Sequence, residues 1–288
     1  MSRRQGPHRR PRRSGATGVA LGVVACVGLG VSGCSGGAAA RDARAGDPVE
    51  VVRRAADRLV EAGSAKARTS MEMASGGTRV TIRGEGVYDF AARLGRLKVL
   101  LPQDPAGTSG RRPITELLTP GALYMKNRGA GVPADKWVRV ETAGLSDGNL
   151  VTGGATDPLA AAEVLGGVRR ATLLGRTEVA GTPVRHYRGV ADLAGAAERA
   201  GAGTRASLRA AAKGFATAEV PFDAYLDDEG RLRKLRHRFS FSGGLRRGTV
   251  GVASTTLLYD FGVAVAVRLP DEDDIYTGKI AEEPDGKN

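Results

Sequence analysis

Val80-Thr81-Ile82-Arg83-Gly84-Glu85-Gly86-Val87-Tyr88-Asp89-Phe90 decides the architecture, because apolar and charged side chains alternate along it. A period of two puts Val80, Ile82, Tyr88 and Phe90 on one face of an extended chain, with Arg83, Glu85 and Asp89 on the other. Met71 and Met73 alternate in the same way before a Gly76-Gly77 turn. Leu97, Val99 and Leu101 continue the pattern until Pro102 stops it. Such alternation marks half-buried antiparallel strands joined by short turns.

Outward from this stretch the same period recurs. It appears at Leu123-Tyr124-Met125-Lys126, after the turn Thr119-Pro120-Gly121, and at Trp137-Val138-Arg139-Val140. It returns over 171–178 and 184–190, around a turn at Ala180-Gly181-Thr182-Pro183. Val220, Phe222, Ala224 and Leu226 form another strand, which Asp227-Asp228-Glu229-Gly230 turns into 232–241. A last strand covers 249–261. The segment 103–112, rich in Pro, Gly and Ser, reads as a loop.

Three stretches change period. Asp47-Pro48 supplies an N-cap acceptor and a proline at the first helical position, and Val51, Val52, Ala55, Ala56, Leu59 and Val60 follow at helical spacing. Asp157-Pro158 repeats the start signal before Leu159, Ala162 and Leu165. The Ala-rich stretch 192–214 is interrupted by Gly201 and Gly203 and predicts two short helices. Strands and helices do not alternate as a parallel sheet requires, so the predicted class is α+β: helices against one face of a large curved antiparallel sheet.

The N-terminus carries a separate message. Six arginines within the first thirteen residues precede an apolar run over 16–31, which ends in Val31-Ser32-Gly33-Cys34. A charged region, a short apolar region and small residues before a cysteine form a lipoprotein export signal. The run is too short and Gly-rich for the roughly 20 apolar residues of a spanning helix. The sequence therefore predicts a signal peptide over 1–33, a flexible tether over 34–47 carrying a lipidated Cys34, a folded domain over 48–270 and an acidic polar tail over 271–288. Export by the general or the twin-arginine route stays open. The expected location is the extracytoplasmic face of the cell membrane.

Charge and cysteine content narrow the function classes. The formal charge of +12 includes the six leader arginines, so part of it belongs to the export signal. Aromatic residues are only 5% of the chain and Trp137 is the single tryptophan, which argues against a stacking platform for nucleic acid. Cys26 lies in the leader and Cys34 is the expected anchor, so the domain has no thiolate nucleophile, disulfide or thiolate metal site. Heavy use of Arg, Ala, Gly and Val fits a high-GC genome.

Chemical motifs are weak. Asp260-Phe261-Gly262 spells a kinase triplet without its companion loops. Asp227-Asp228-Glu229-Gly230 reads as a hairpin turn rather than a calcium loop, and Asp271, Glu272, Asp273 and Asp274 as a solvated tail. His186 and His237 stand in strands without a Ser, Cys or carboxylate motif beside them. No catalytic residue, metal site or cofactor is predicted, and the chain reads as a binding protein rather than an enzyme.

Several of these elements together resemble a known family. A leading helix, a strand ending in Tyr88-Asp89-Phe90, and Leu123-Tyr124-Met125-Lys126 answered by Trp137-Val138-Arg139-Val140 are similar to the LppX/LprG-type bacterial lipoproteins, which share the wider fold of the carrier LolA. The hairpin from Phe222 through Leu232 and the ending Tyr259-Asp260-Phe261-Gly262 with Val265 and Pro270 extend the likeness over roughly 48–275. The resemblance implies a half-barrel sheet around helices, an apolar cavity for lipid acyl chains, and no catalytic residues.

Two residue sets follow. The apolar face of Met71, Met73, Val80, Ile82, Tyr88, Phe90, Leu97, Val99, Leu101, Val220, Phe222, Leu235, Phe239 and Phe241 would line such a cavity, or simply form a filled core. Arg231, Arg233, Lys234, Arg236 and Arg238 put positive charge on both faces of one strand. They read either as an edge or solvated strand kept from pairing with other chains or as a surface for anionic headgroups. The expected partners are a membrane lipid or glycolipid and the membrane surface, with no nucleic acid and an unidentified envelope protein as a further candidate. The alternative function is an envelope interaction or sensor module of the same fold with a filled core.

Overall fold

The structure is a computed structural model, and it describes residues 46–75, 78–102, 112–129, 131–151, 156–242 and 249–278. The leader, Cys34 and nearly all of the tether lie outside the described residues, as do Gly76-Gly77 and most of the 103–112 loop.

Eleven strands form one sheet: β1 (Ser64–Ser75), β2 (Thr78–Asp89), β3 (Leu94–Leu100), β4 (Ile114–Thr119), β5 (Ala122–Lys126), β6 (Trp137–Glu141), β7 (Val168–Val179), β8 (Thr182–Asp192), β9 (Glu219–Leu226), β10 (Leu232–Ser242) and β11 (Thr249–Tyr259). Their spatial order is β6-β5-β4-β3-β2-β1-β11-β10-β9-β8-β7, and every paired strand runs antiparallel to its neighbours. Two meanders, β1 to β6 and β7 to β11, are therefore joined where the first strand meets the last. The α+β class with a large antiparallel sheet is the one the alternation predicts.

Five helices accompany the sheet among the described residues: α1 (Pro48–Arg53), α2 (Ala55–Ala62), α3 (Pro158–Val164), α4 (Leu193–Arg199) and α5 (Ala202–Gly214). Both Asp-Pro signals act as the sequence predicts. Asp47 Oδ1 accepts from the Val49 amide at 3.1 Å, and Asp157 Oδ1 accepts from Leu159 at 2.8 Å and Ala160 at 3.0 Å. The stretch 192–214 does split into two helices, at Ala200-Gly201.

The helices lie on one face and draw the sheet round them. A flat sheet of this many strands would span about 48 Å at ~4.8 Å per strand, whereas the longest described helix, α5, is about 20 Å long at ~1.5 Å per residue. Yet α1 packs on the outermost strand β7, and Arg53 donates to the Val168 carbonyl there at 2.8 Å. At the other margin Thr142, just after β6, shares a 2.6 Å hydrogen bond with Ser207 of α5. Only a curved sheet lets one small helical layer reach both margins.

Three expectations need correction. β4 was not foreseen as a strand, because in Ile114-Thr115-Glu116-Leu117-Leu118 a carboxylate takes an inward position and a leucine an outward one. Leu117 is nonetheless buried, and Ala266 to Arg268, after β11, line one depression with it on that side. β10 is not an edge strand, since it pairs with β9 and β11. The first residues of the acidic tail are placed rather than loose: Tyr276 donates to the Trp137 carbonyl at 2.8 Å, and Lys136 Nζ to that of Asp273 at 2.6 Å.

Asp157 caps α3 and also accepts a 3.1 Å hydrogen bond from the buried Tyr88 hydroxyl. Asp157→Ala removes a cap and strands a buried donor, so it should cost about 2 kcal/mol. Denaturant unfolding should show a lower midpoint with an unchanged m-value.

Candidate functional site

The inner face of the sheet brings all fourteen apolar candidates into one cluster with the helices. Met71, Ile82, Tyr88, Phe90, Leu97, Val99, Val220, Phe222, Leu235 and Phe239 are buried beneath α1 to α4 or against neighbouring strands. Met73, Val80, Leu101 and Phe241 differ: they are only half-buried. The register gathers these at one end of the sheet. Met73 stands opposite Val80 on one side and Val252 on the other, while Phe241 stands opposite Val250. Phe215, just beyond α5, reaches over this end and packs on Phe239 and Phe241 at ring-centroid distances of 4.9 and 4.6 Å. The face thus passes from a packed core to an apolar shelf with incomplete cover.

Polar groups interrupt the face at two places. One is central: Thr69, Ser254, Thr256 and His237 all point inward, and Ser254 shares a 2.6 Å hydrogen bond with Thr156. The Thr69 hydroxyl and His237 Nε2 are buried without a hydrogen-bond partner. Burial pushes the His237 ring down to about 3, so it is neutral at physiological pH. The other is Glu116, fully buried between Ile114 and Leu118 along β4 and opposite Leu97 and Met125. Neither carboxylate oxygen has a hydrogen-bond partner. Burial raises its pKa to about 8 despite the opposing field of Arg128, so Glu116 is mainly a neutral acid at pH 7.

The outer face is charged. Burial alone would raise the Asp223 carboxyl, but hydrogen bonds from His186 at 2.8 Å, Arg188 at 2.8 Å and Arg238 at 3.0 Å outweigh it and hold the group below the usual carboxylate range. The β8–β9 register thus supplies His186 with a carboxylate that no sequence motif announced. Three side chains share Asp223, two of them arginines, and the His186 ring stacks on Tyr225 at 4.2 Å.

The five basic candidates of the β10 segment are divided rather than spread over both faces. Arg231 and Arg233 hold Asp227 at 2.9 and 3.7 Å and lie over the Phe261 ring. Lys234, Arg236 and Arg238 share the outer face, aligned with Leu257, Thr255 and Ala253. Asp227 is occupied in this way as a hairpin anchor, and Asp260 pairs with Lys66 at 2.8 Å. Among the described residues no group of three or more His, Cys, Asp or Glu could hold a metal ion. No described helix is long and apolar enough to cross a membrane.

No family model matches this chain, and no curated protein does. Solved structures similar to it include the Mycobacterium tuberculosis lipoprotein LppX, with 9% identity, 76% of this chain and 97% of that one covered, and a TM-score of 0.44. LprF from Mycobacterium bovis is similar at 14% identity, 77% and 96% coverage and a TM-score of 0.39. A LolA-superfamily protein from Nitrosomonas europaea follows at 12%, 80% and 97%, with a TM-score of 0.33. These include proteins of the group that the sequence motifs resemble.

Sequence reasoning missed Glu116, Phe215 and the Thr69–Ser254–Thr256 strip. Glu116 leaves one trace: with Ile114 and Leu118 it occupies every second position of a strand.

Glu116 binds its proton more tightly in the folded chain than at its ordinary value of 4.5. Its contribution to stability is therefore fully present below about pH 4.5 and is lost as pH rises through about 8. Glu116→Gln should flatten this part of the profile and gain on the parent by on the order of 5 kcal/mol between those limits. Urea midpoints of the two proteins at matched pH values measure the difference.

Proposed function

We propose that this chain is an extracytoplasmic lipoprotein, anchored through Cys34, which binds or carries acyl-chain lipids on the inner face of its sheet. The observation that supports this is the half-buried shelf of Met73, Val80, Leu101, Phe241 and Val250, an apolar continuation of the core without full cover. Each methylene buried there contributes about 0.8 kcal/mol, so ten of them would contribute about 8 kcal/mol before the entropic costs of binding. The chains enter at the shelf, because the rest of the face is already occupied by protein side chains. Glu116 and the Thr69–His237 strip lie deeper in the same face, covered by the protein's own side chains, so a chain bound at the shelf meets apolar groups. The protein works by binding rather than by catalysis.

A second reading has its own support. Ten of the fourteen cavity candidates are buried by the protein itself, as in a filled core, and this favours an envelope interaction or sensor module. The two readings diverge at Val80. Under lipid binding, chain purified from a bacterial host shows copurified lipid near one per chain in native mass spectrometry. Val80→Trp then lowers that occupancy severalfold while the unfolding midpoint barely moves. Absence of saturable lipid binding would favour the filled-core module. Phe222→Trp is the poorer probe: Phe222 is fully buried beside Gly189, and overpacking would cost about 1–3 kcal/mol whatever the function.

A further inference from the structure

The outer face carries a depression of about 300 Å³ over β1, β2, β3 and β11, on the side of the sheet away from the helices. Its floor is low because the small residues Ser70 and Thr255 stand side by side, next to the backbone of Gly84. Arg68, Arg83 and Lys98 rise around it. The register adds Arg236 next to Thr255 and Lys234 next to Leu257. Against these five cations stand three carboxylates: Glu85, opposite Lys98 and 3.8 Å from Arg68, Glu72, 4.0 Å from Arg236, and Asp223, opposite Arg236 but already held by Arg188 and Arg238. Arg83 and Lys98 have no ion-pair partner among the described residues. A group of exposed cations with two members outside any ion pair gives this face a positive field that attracts anions.

The surroundings indicate which kind. Leu100 is 53% exposed on the β3 side of the rim and Leu257 is half-buried on the β11 side, with β1 and β2 between them, so apolar groups flank the basic margin at both ends. Such a site suits a headgroup that joins a phosphate to a hydrocarbon. The two tyrosines nearby are already covered, Tyr259 by Arg68 and Tyr225 by Lys234, at 5.3 and 5.1 Å from the ring centroids. With cations over these rings and no other aromatic residue among the described ones lining the depression, a nucleic acid is a poor fit. β1 is also the middle strand of the sheet. On a surface that curves round its helices, the middle strands stand foremost on the outside, where a plane would first make contact.

We propose that this outer face docks the protein on an anionic lipid surface, with the depression between Arg68, Arg83 and Lys98 receiving a phosphate-bearing headgroup. The role is separate from whatever the inner face holds. It also moves the membrane contact from the β10 basic segment, where Arg231 and Arg233 are spent on Asp227, to the centre of the sheet.

The test uses the full chain carrying Cys34→Ser, which cannot take a lipid anchor, and vesicles of phosphatidylcholine with or without phosphatidylglycerol. The leader is common to all variants, so comparison among them reads the face alone. Arg83→Gln with Lys98→Gln should weaken binding to the phosphatidylglycerol vesicles about thirtyfold, which corresponds to about 2 kcal/mol. Arg54→Gln with Arg209→Gln removes equal charge from two exposed positions, one between α1 and α2 and one on α5, and should change it less than threefold. A fluorophore on Leu100→Cys, in a chain also carrying Cys26→Ser, should shift to the blue on phosphatidylglycerol vesicles only. Equal losses in both double variants would reduce the effect to net charge and overturn the proposal. No vesicle binding, or a Leu100→Cys signal that answers only to an acidic protein, would overturn it as well.

Discussion

The pairing of β1 with β11 is the constraint on which the rest of the molecule depends. Nine consecutive positions, from Lys66 opposite Tyr259 to Ala74 opposite Gly251, join two meanders that would otherwise be separate sheets. The pairing places Met71 and Met73 from one meander beside Ser254 and Val252 from the other, so the inner face becomes continuous. On the outside it sets Arg68 and Ser70 beside Leu257 and Thr255. The apolar shelf and the basic depression are two sides of the same seam.

Curvature gives the two sides their different chemistry. Helices α1 to α4 close the inner face over its packed region but leave the end around Val80 and Phe241 thinly covered. Burial there is costly for polar groups, and the face accepts them only in a neutral state: Glu116 with its pKa raised, His237 with its pKa lowered. The outer face, open to water, tolerates charge and balances part of it in ion pairs such as those on Asp223. Its cations are not all balanced, and Arg83 and Lys98 near the middle of the sheet are among those outside any ion pair.

Much of this was legible in the sequence. Strict alternation from Val80 to Phe90 identified the strands and their inward side chains, and two Asp-Pro pairs marked helix starts that the structure caps as expected. What escaped has physical reasons. Glu116 breaks the hydrophobic pattern because pattern reading assumes a carboxylate is charged and faces water. Leu117 faces outward yet is buried, since chain 150 positions further on passes that side of β4. The interior place of β10 could not be read from Arg236 and Arg238, because charge on a strand's solvent face looks the same at an edge and in the middle. His186 and Asp223 meet only through the register of β8 against β9. Candidate cavity residues were found as a set, but how far protein atoms fill the space between them is a matter of packing, which no local pattern encodes.

The seam also bears on how the molecule is made. Lys66 and Asp260, which pair across it, are 194 positions apart. Closing so long a loop is entropically unfavourable before any contact compensates it, and folding rates fall as such distant pairings dominate. Until β11 is available, β1 remains a twelve-residue edge with unpaired amides and carbonyls, a template for any other strand. A chain threaded across a membrane from its N-terminus would release β1 early and β11 nearly last. The interval between those events is when the protein is most exposed to aggregation, and a chaperone that covers a strand edge would act then.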